Sequence, residues 1–193
     1  MLGVTAFEQS DFQTAITYFT DALEQNPQDT DLLNNRAICY RELEKYDIAL
    51  QDVSSAIIIS PMQALYYSTR ASILTKMKKQ LEALDDINTA INLHPIPEYL
   101  ENKIIILKKM NRFQEALSII ENIESQGYGT PEISIFKGTI LIDVRKLKEA
   151  IQVFESLLDT TQRQLAIKYL TILKQSGPKL IHDFLPVLTR SLE

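Results

Sequence analysis

Apolar side chains recur along this chain at spacings of three and four, the mark of helices that bury one face. From Phe12 the series Phe12, Ala15, Ile16, Phe19, Ala22 and Leu23 predicts the first clean helix. Pro27, after Asn26, stops it, because proline lacks an amide donor and restricts the residue before it. Leu33, Ala37, Tyr40 and Leu43 predict the next helix, capped by Asp29 or Thr30. A short polar turn at Glu44 and Lys45 leads into a third stripe, Tyr46, Ala49, Leu50, Val53, Ala56 and Ile57. Two helices of this length joined by so short a turn pack antiparallel. Their close approach requires Ala37 and Ala49 at the crossing, with Tyr40 and Tyr46 filling the space beside them.

The same stretch repeats. A step of about 34 residues, the period of one class of helical repeat, carries Pro61 back to Pro27 and forward to Pro95. It carries Ala49 to Ala15 and Ala83, and Ala56 to Ala22 and Ala90. Gly3, Ala37 and Ala71 fall in register as a column of small residues. Because Gly3 already occupies that column, the first helix lacks its opening turn, as in a piece of a longer array or a start within the pattern. The fourth repeat keeps its stripe at Leu100, Ile104, Leu107, Phe113, Ala116, Leu117 and Ile120 but slips by one residue against Ala83. Its proline column holds Tyr128, and Gly127, Gly129 and Pro131 read as the turn between repeats. A phosphate-cradling loop would want a following lysine with serine or threonine, and none is there. The fifth repeat returns to register with Gly138, Ala150 and Phe154. Beyond Asp159 the pattern fades into a helix with Leu165, Tyr169, Ile172 and Leu173, stopped by Gly177-Pro178. A last apolar run follows from Lys179 to Leu192, interrupted by Pro186.

These columns resemble the tetratricopeptide repeat, a helix–turn–helix with a Leu-Gly pair, a tyrosine, Ala-x3-Phe and a closing proline. Leu2-Gly3, Ala15-x3-Phe19, Ala22 and Pro27 match in the first repeat. Leu33, Ala37, Tyr40, Ala49, Ala56 and Pro61 match in the second, and Tyr67, Ala71, Ala83, Ala90 and Pro95 in the third. Val53 and Ile87 stand where the family has an aromatic, and Arg36 and Arg70 where it has leucine. The resemblance implies an all-α, right-handed superhelical solenoid of antiparallel helix pairs. The expected repeats span residues 1–29, 30–63, 64–97, 98–130 and 131–160, with capping helices or a degenerate sixth repeat over 161–193. A solenoid needs such an end piece to cover its terminal core face. The last segment is more apolar than an ideal cap, which allows self-association or docking onto a neighbour.

Charge and chemistry then narrow the function classes. The net charge of −5 argues against nucleic-acid binding, which draws its affinity from cations on phosphate. Cys39 is the single cysteine, so no intrachain disulfide forms, and a reducing, cytoplasmic setting is expected. No apolar run approaches the roughly 18 residues of a membrane span, and no basic leader with an apolar core is visible. His94 and His182 are far apart and no cysteine cluster accompanies them, so no zinc site, other metal site or cofactor is expected. Cys39 reads as a packing residue without a neighbouring base. Asp85-Asp86 read as outward, solvated positions, and Lys76, Lys78, Lys79, Arg145, Lys146 and Lys148 as solvated turn residues. No catalytic constellation is present, and a non-enzyme is expected.

What remains is a surface. The resemblance implies that the first helix of each pair lines a concave groove. Its candidate contacts are Asn34, Asn35, Ile38 and Arg41; Ser68, Thr69, Ser72 and Lys76; Glu101, Asn102, Ile105 and Lys108; and Ile135, Thr139 and Ile142. Amides, hydroxyls, cations and apolar atoms mixed in this way suit a peptide or protein partner. The expected function is therefore a scaffold or adaptor, or alternatively a regulatory or substrate-docking segment of a larger enzyme. Asn35-Arg36-Ala37 also resembles the second repeat of co-chaperones that clamp the carboxylates of a heat-shock protein's tail. There Asn35 matches the second-repeat asparagine, the first-repeat lysine column lies before Met1, and the remaining columns hold Val4, Leu65 and Thr69 instead of asparagine, lysine and arginine. Without those cations the charge-assisted bonds that make such a clamp strong are lost.

Overall fold

The computed structural model describes residues 2–176. The expected stop at Gly177-Pro178 and the apolar run Lys179 to Leu192, with His182, Pro186 and any self-association through them, lie outside the described residues. The described residues form eleven helices and no strand. These are α1 (Leu2–Glu8), α2 (Phe12–Gln25), α3 (Thr30–Glu42), α4 (Tyr46–Ile59), α5 (Ala64–Lys76), α6 (Gln80–Leu93) and α7 (Pro97–Lys109). They continue with α8 (Phe113–Ser125), α9 (Pro131–Asp143), α10 (Leu147–Ser156) and α11 (Arg163–Ser176). The chain divides into two compact units at Met110 and Asn111, so that α7 closes one unit and α8 opens the other, within the span 98–130.

In the first unit each helix packs on the next, and α3 also touches α5, as α5 touches α7. Hairpins of helix thus pile up in sequence order. Ala37, Ala49, Val53 and Ala56 are fully buried at the α3–α4 crossing, joined by Leu33, Ile57, Tyr66 and Ile73, with half-buried Tyr40 and Tyr46 packed against them. Ala15, Ile16, Phe19 and Cys39 form the adjoining cluster. In the second unit α8 packs on α9, α9 on α10 and α10 on α11. The slip of the fourth repeat has a simple origin. Three residues join α6 to α7 where four join α4 to α5, so the step between helix starts falls from 34 (Thr30 to Ala64) to 33 (Ala64 to Pro97).

The turns that follow α1, α3, α5, α7 and α9 are built without glycine. Ser10, Glu44, Lys78, Asn111 and Arg145 all take a positive φ between 57° and 64°. Around Glu44 its amide donates to the Arg41 carbonyl and the Lys45 amide to the Tyr40 carbonyl, the paired bonds that end a helix on a left-handed residue. The same pair recurs at Lys78 with Thr75, and at Lys79 with Leu74. A side chain in this conformation is strained, and glutamate adds a negative charge at the negative end of α3. Glu44→Gly is therefore expected to stabilise the fold, by about 0.5–1 kcal/mol after the greater freedom of glycine in the unfolded chain is subtracted. A rise in the thermal midpoint checks it, and a fall rejects the strain argument.

The candidate partner-binding face

Helices α3, α5 and α7 lie side by side, so positions one repeat apart meet across their seams. The Asn102 Nδ2 donates to Ser68 Oγ at 3.2 Å, and Arg41 Nη1 donates to Ser72 Oγ at 3.2 Å. The Tyr66 hydroxyl donates to Asp31 Oδ1 at 2.7 Å, and burial pushes its pKa up. Asp29 caps α3 through two backbone amides, those of Asp31 and Leu32. The face is therefore laid on a rigid, internally bonded row of helices.

Not every expected contact is open. Asn34 is 1% exposed, Thr69 5% and Ser68 7%, because the neighbouring first helices close over this column. Ile135 and Thr139, on α9 of the second unit, are also buried, and the Thr139 hydroxyl donates to the Phe136 carbonyl. These five depart from the exposed positions expected of them. Asn35, Ile38, Arg41, Ser72, Glu101, Asn102, Ile105, Lys108 and Ile142 are half-buried, and Lys76 is exposed. Among the described residues the Asn34 Oδ1 has no hydrogen-bond partner. Between α5 and α7 a cavity opens, lined by Ser72, Thr75, Lys76, Asn102, Ile105 and Lys109 among others.

One correction concerns the acidic residues. Asp86, expected to face solvent, is 7% exposed and receives Arg70 through two bonds of 2.7 Å, from Nε and Nη2. One repeat earlier Asp52, also 7% exposed, receives Arg36 in the same way at 2.7 and 2.8 Å. Both aspartates turn back from the second helix onto the first helix of their own pair. Each arginine pKa is raised, chiefly by its bond to the aspartate. Arg70 turns into the repeat packing through this bond and contributes no cation to the clamp columns.

Those columns hold Val4, 45% exposed, half-buried Asn35, Leu65, 50% exposed, and buried Thr69. They present a polar and aliphatic face where a carboxylate clamp carries charge. Cys39 is fully buried, and its thiol is pushed up to about 11 by desolvation, so it is neutral near pH 7. His94 is exposed at the end of α6. No group of three metal-ligating side chains occurs among the described residues, and no helix there is long and apolar enough to cross a membrane.

Stacked antiparallel hairpins on a 34-residue step, tied first helix to first helix, define a helical repeat protein. Residues 1–64 match the family model described as tetratricopeptide repeat. The fold is also that of a thermophilic TPR protein from Thermus thermophilus, with a TM-score of 0.73 at 19% identity over 89% of this chain and 95% of that one. Residues 1–64 thus belong to the tetratricopeptide-repeat family, and the fold of the described residues is that of such repeats. The chain is similar to the first TPR domain of Spaghetti (RPAP3) bound to the HSP90 peptide SRMEEVD, at 26% identity and a TM-score of 0.54 over 56% of this chain and 86% of that one. Among curated proteins it is 27% identical over 164 residues to the Hsp70-Hsp90 organizing protein of Triticum aestivum, which covers 78% of this chain. The chain spans about a quarter of that relative's length, 26%.

Proposed function

We propose that this chain is a non-catalytic scaffold that holds an extended or helical segment of a partner protein along the first helices of its first unit. The row of half-buried Asn35, Ile38, Arg41, Ser72 and Ile105 on adjacent helices supports this reading. Such positions offer hydrogen bonds to a peptide backbone and apolar contact to its side chains without repacking the core. A similar domain solved with a bound peptide favours a peptide as the ligand. The co-chaperone reading draws on the Hsp70-Hsp90 organizing protein as a relative, but Val4, Leu65 and Thr69 weigh against recognition of a carboxylate tail.

The test is selection of peptides from a random display library against the intact chain, followed by titration of the selected peptides. Resonances of α3, α5 and α7 are expected to move. Asn35→Ala combined with Ile38→Glu is expected to weaken binding at least tenfold with the unfolding midpoint held. The peptide SRMEEVD, added at high micromolar concentration, is expected not to bind. Perturbations confined to the second helices would place the partner surface elsewhere, and tight binding of SRMEEVD would favour the co-chaperone reading.

A further inference from the structure

The cation pattern at the ends of the first helices is uneven in a way that capping does not explain. Stepping by one repeat, the last helical positions of α1, α3, α5, α7 and α9 hold Glu8, Glu42, Lys76, Lys109 and Asp143. A lysine at a helix C-terminus is favourable wherever it stands, because it faces the negative end of the dipole. If the dipole alone selected it, the other three ends would not carry acids. The two lysines fall where they flank one cavity, of about 270 Å³, between α5 and α7. Both are exposed, and neither forms an ion pair among the described residues. Inside the cavity stand Ser72, already accepting a bond from the Arg41 guanidinium, and Asn102, with Ile105 as an apolar wall. The rest of the chain is acidic, at a net charge of −5, so this concentration of amines runs against its background.

Resting on the reading of this face as the partner surface, we propose that the α5–α7 cavity is a subsite for an acidic side chain next to an aliphatic one in the bound segment. The carboxylate sits between the Lys76 and Lys109 amines and accepts from the Ser72 hydroxyl, and the aliphatic neighbour covers Ile105. None of Val4, Asn35, Leu65 and Thr69 lines the subsite, and it reads a side chain within a peptide where those columns would read a terminus.

The experiment uses the intact chain and two capped probes, acetyl-Ala-Leu-Glu-Ala-amide and its Gln counterpart, followed by amide and side-chain resonances. The Glu probe is expected to move Ser72, Asn102 and Ile105 and to bind about fivefold tighter than the Gln probe, the scale of two solvent-facing charge contacts. That preference is expected to shrink in high salt. It is expected to vanish in Lys76→Gln combined with Lys109→Gln, which leaves the Gln probe's affinity unchanged and lowers the unfolding midpoint only slightly, through the two lost helix-end charges. Equal binding of the two probes, or a preference that survives the lysine changes, overturns the subsite. If both probes move Asn35 and Ile38 but not Ser72 and Asn102, the subsite falls and the partner face stands. If neither moves any first helix, both fall.

Discussion

With Asp86 replaced by alanine, the intact chain unfolds at markedly lower urea, a loss of about 2–3 kcal/mol. Breaking one partner of a fully buried ion pair costs about 3–5 kcal/mol, because the other charge stays desolvated. Here the Arg70 side chain keeps 27% exposure and Asp86 10%, so the guanidinium regains part of its hydration, and the lower figure follows. The geometry argues for a contribution from shape as well as charge. Two parallel bonds of 2.7 Å fix the guanidinium in a plane across the pair, with its carbon 5.7 Å from the centre of the Tyr67 ring. Arg70→Lys should therefore lose most of the effect, since an ammonium cannot make the fork. Changing both partners together, Arg70→Met with Asp86→Leu, should recover most of the loss, because apolar groups of similar size avoid the desolvation penalty altogether. The measurement is a double-mutant cycle by denaturant at low and high salt. A loss below about 0.5 kcal/mol, of the kind expected of an exposed pair, would mean that the bridge is not a lock between the two helices.

Not all of this arrangement is legible along the chain. The helices, the repeat step and the small-residue columns were legible, because burial on one face imposes a period that survives in residue size and polarity. The role of Asp86 was not. On its own helix it reads as polar and outward, and its partner lies sixteen positions upstream on another helix. The signal was nonetheless present, since Arg36 with Asp52 and Arg70 with Asp86 recur together at the repeat step. Asn34, Ser68 and Thr69 were misplaced for a related reason. A helical stripe says which face leaves the hairpin's own core, but only the packing of α3 on α5 and of α5 on α7 says which part of that face stays open. The left-handed turns at Ser10, Glu44, Lys78, Asn111 and Arg145 carry no glycine and so left no trace in composition. The α5–α7 cavity needs two helices in place before Lys76 and Lys109 can be seen to share it.

Gly138→Val should be the second severe substitution, at a cost of about 3 kcal/mol. A Cβ at Gly138 would lie 2.5 Å from Phe154 Cζ and 2.7 Å from its Cε1, closer than side chains tolerate. The ring has little room to yield, because Phe154 is fully buried and stacked on Tyr169 with centroids 4.8 Å apart. Gly3 stands in the same relation to Phe19, where the added carbon would meet the ring at 2.8 Å. In the second repeat the two positions hold Ala37 and Val53, both with no exposure, and in the third Ala71 and Ile87. In the first, second, third and fifth repeats the size of the first-helix residue thus follows inversely the size of the residue sixteen positions later, as close packing between two backbones demands, while the fourth repeat departs from it with Ile104 and Ile120. Gly138→Ala alone gains about 1 kcal/mol in helix propensity and loses more than that to the clash. Phe154→Val alone leaves a void costing roughly 3 kcal/mol. The two together recreate the alanine–valine pairing of the second repeat, and the combined loss is expected to fall at least about 1 kcal/mol short of the sum. Simple addition of the two single losses, measured by denaturant unfolding of the intact chain, would show that Gly138 is not the seat of the Phe154 ring.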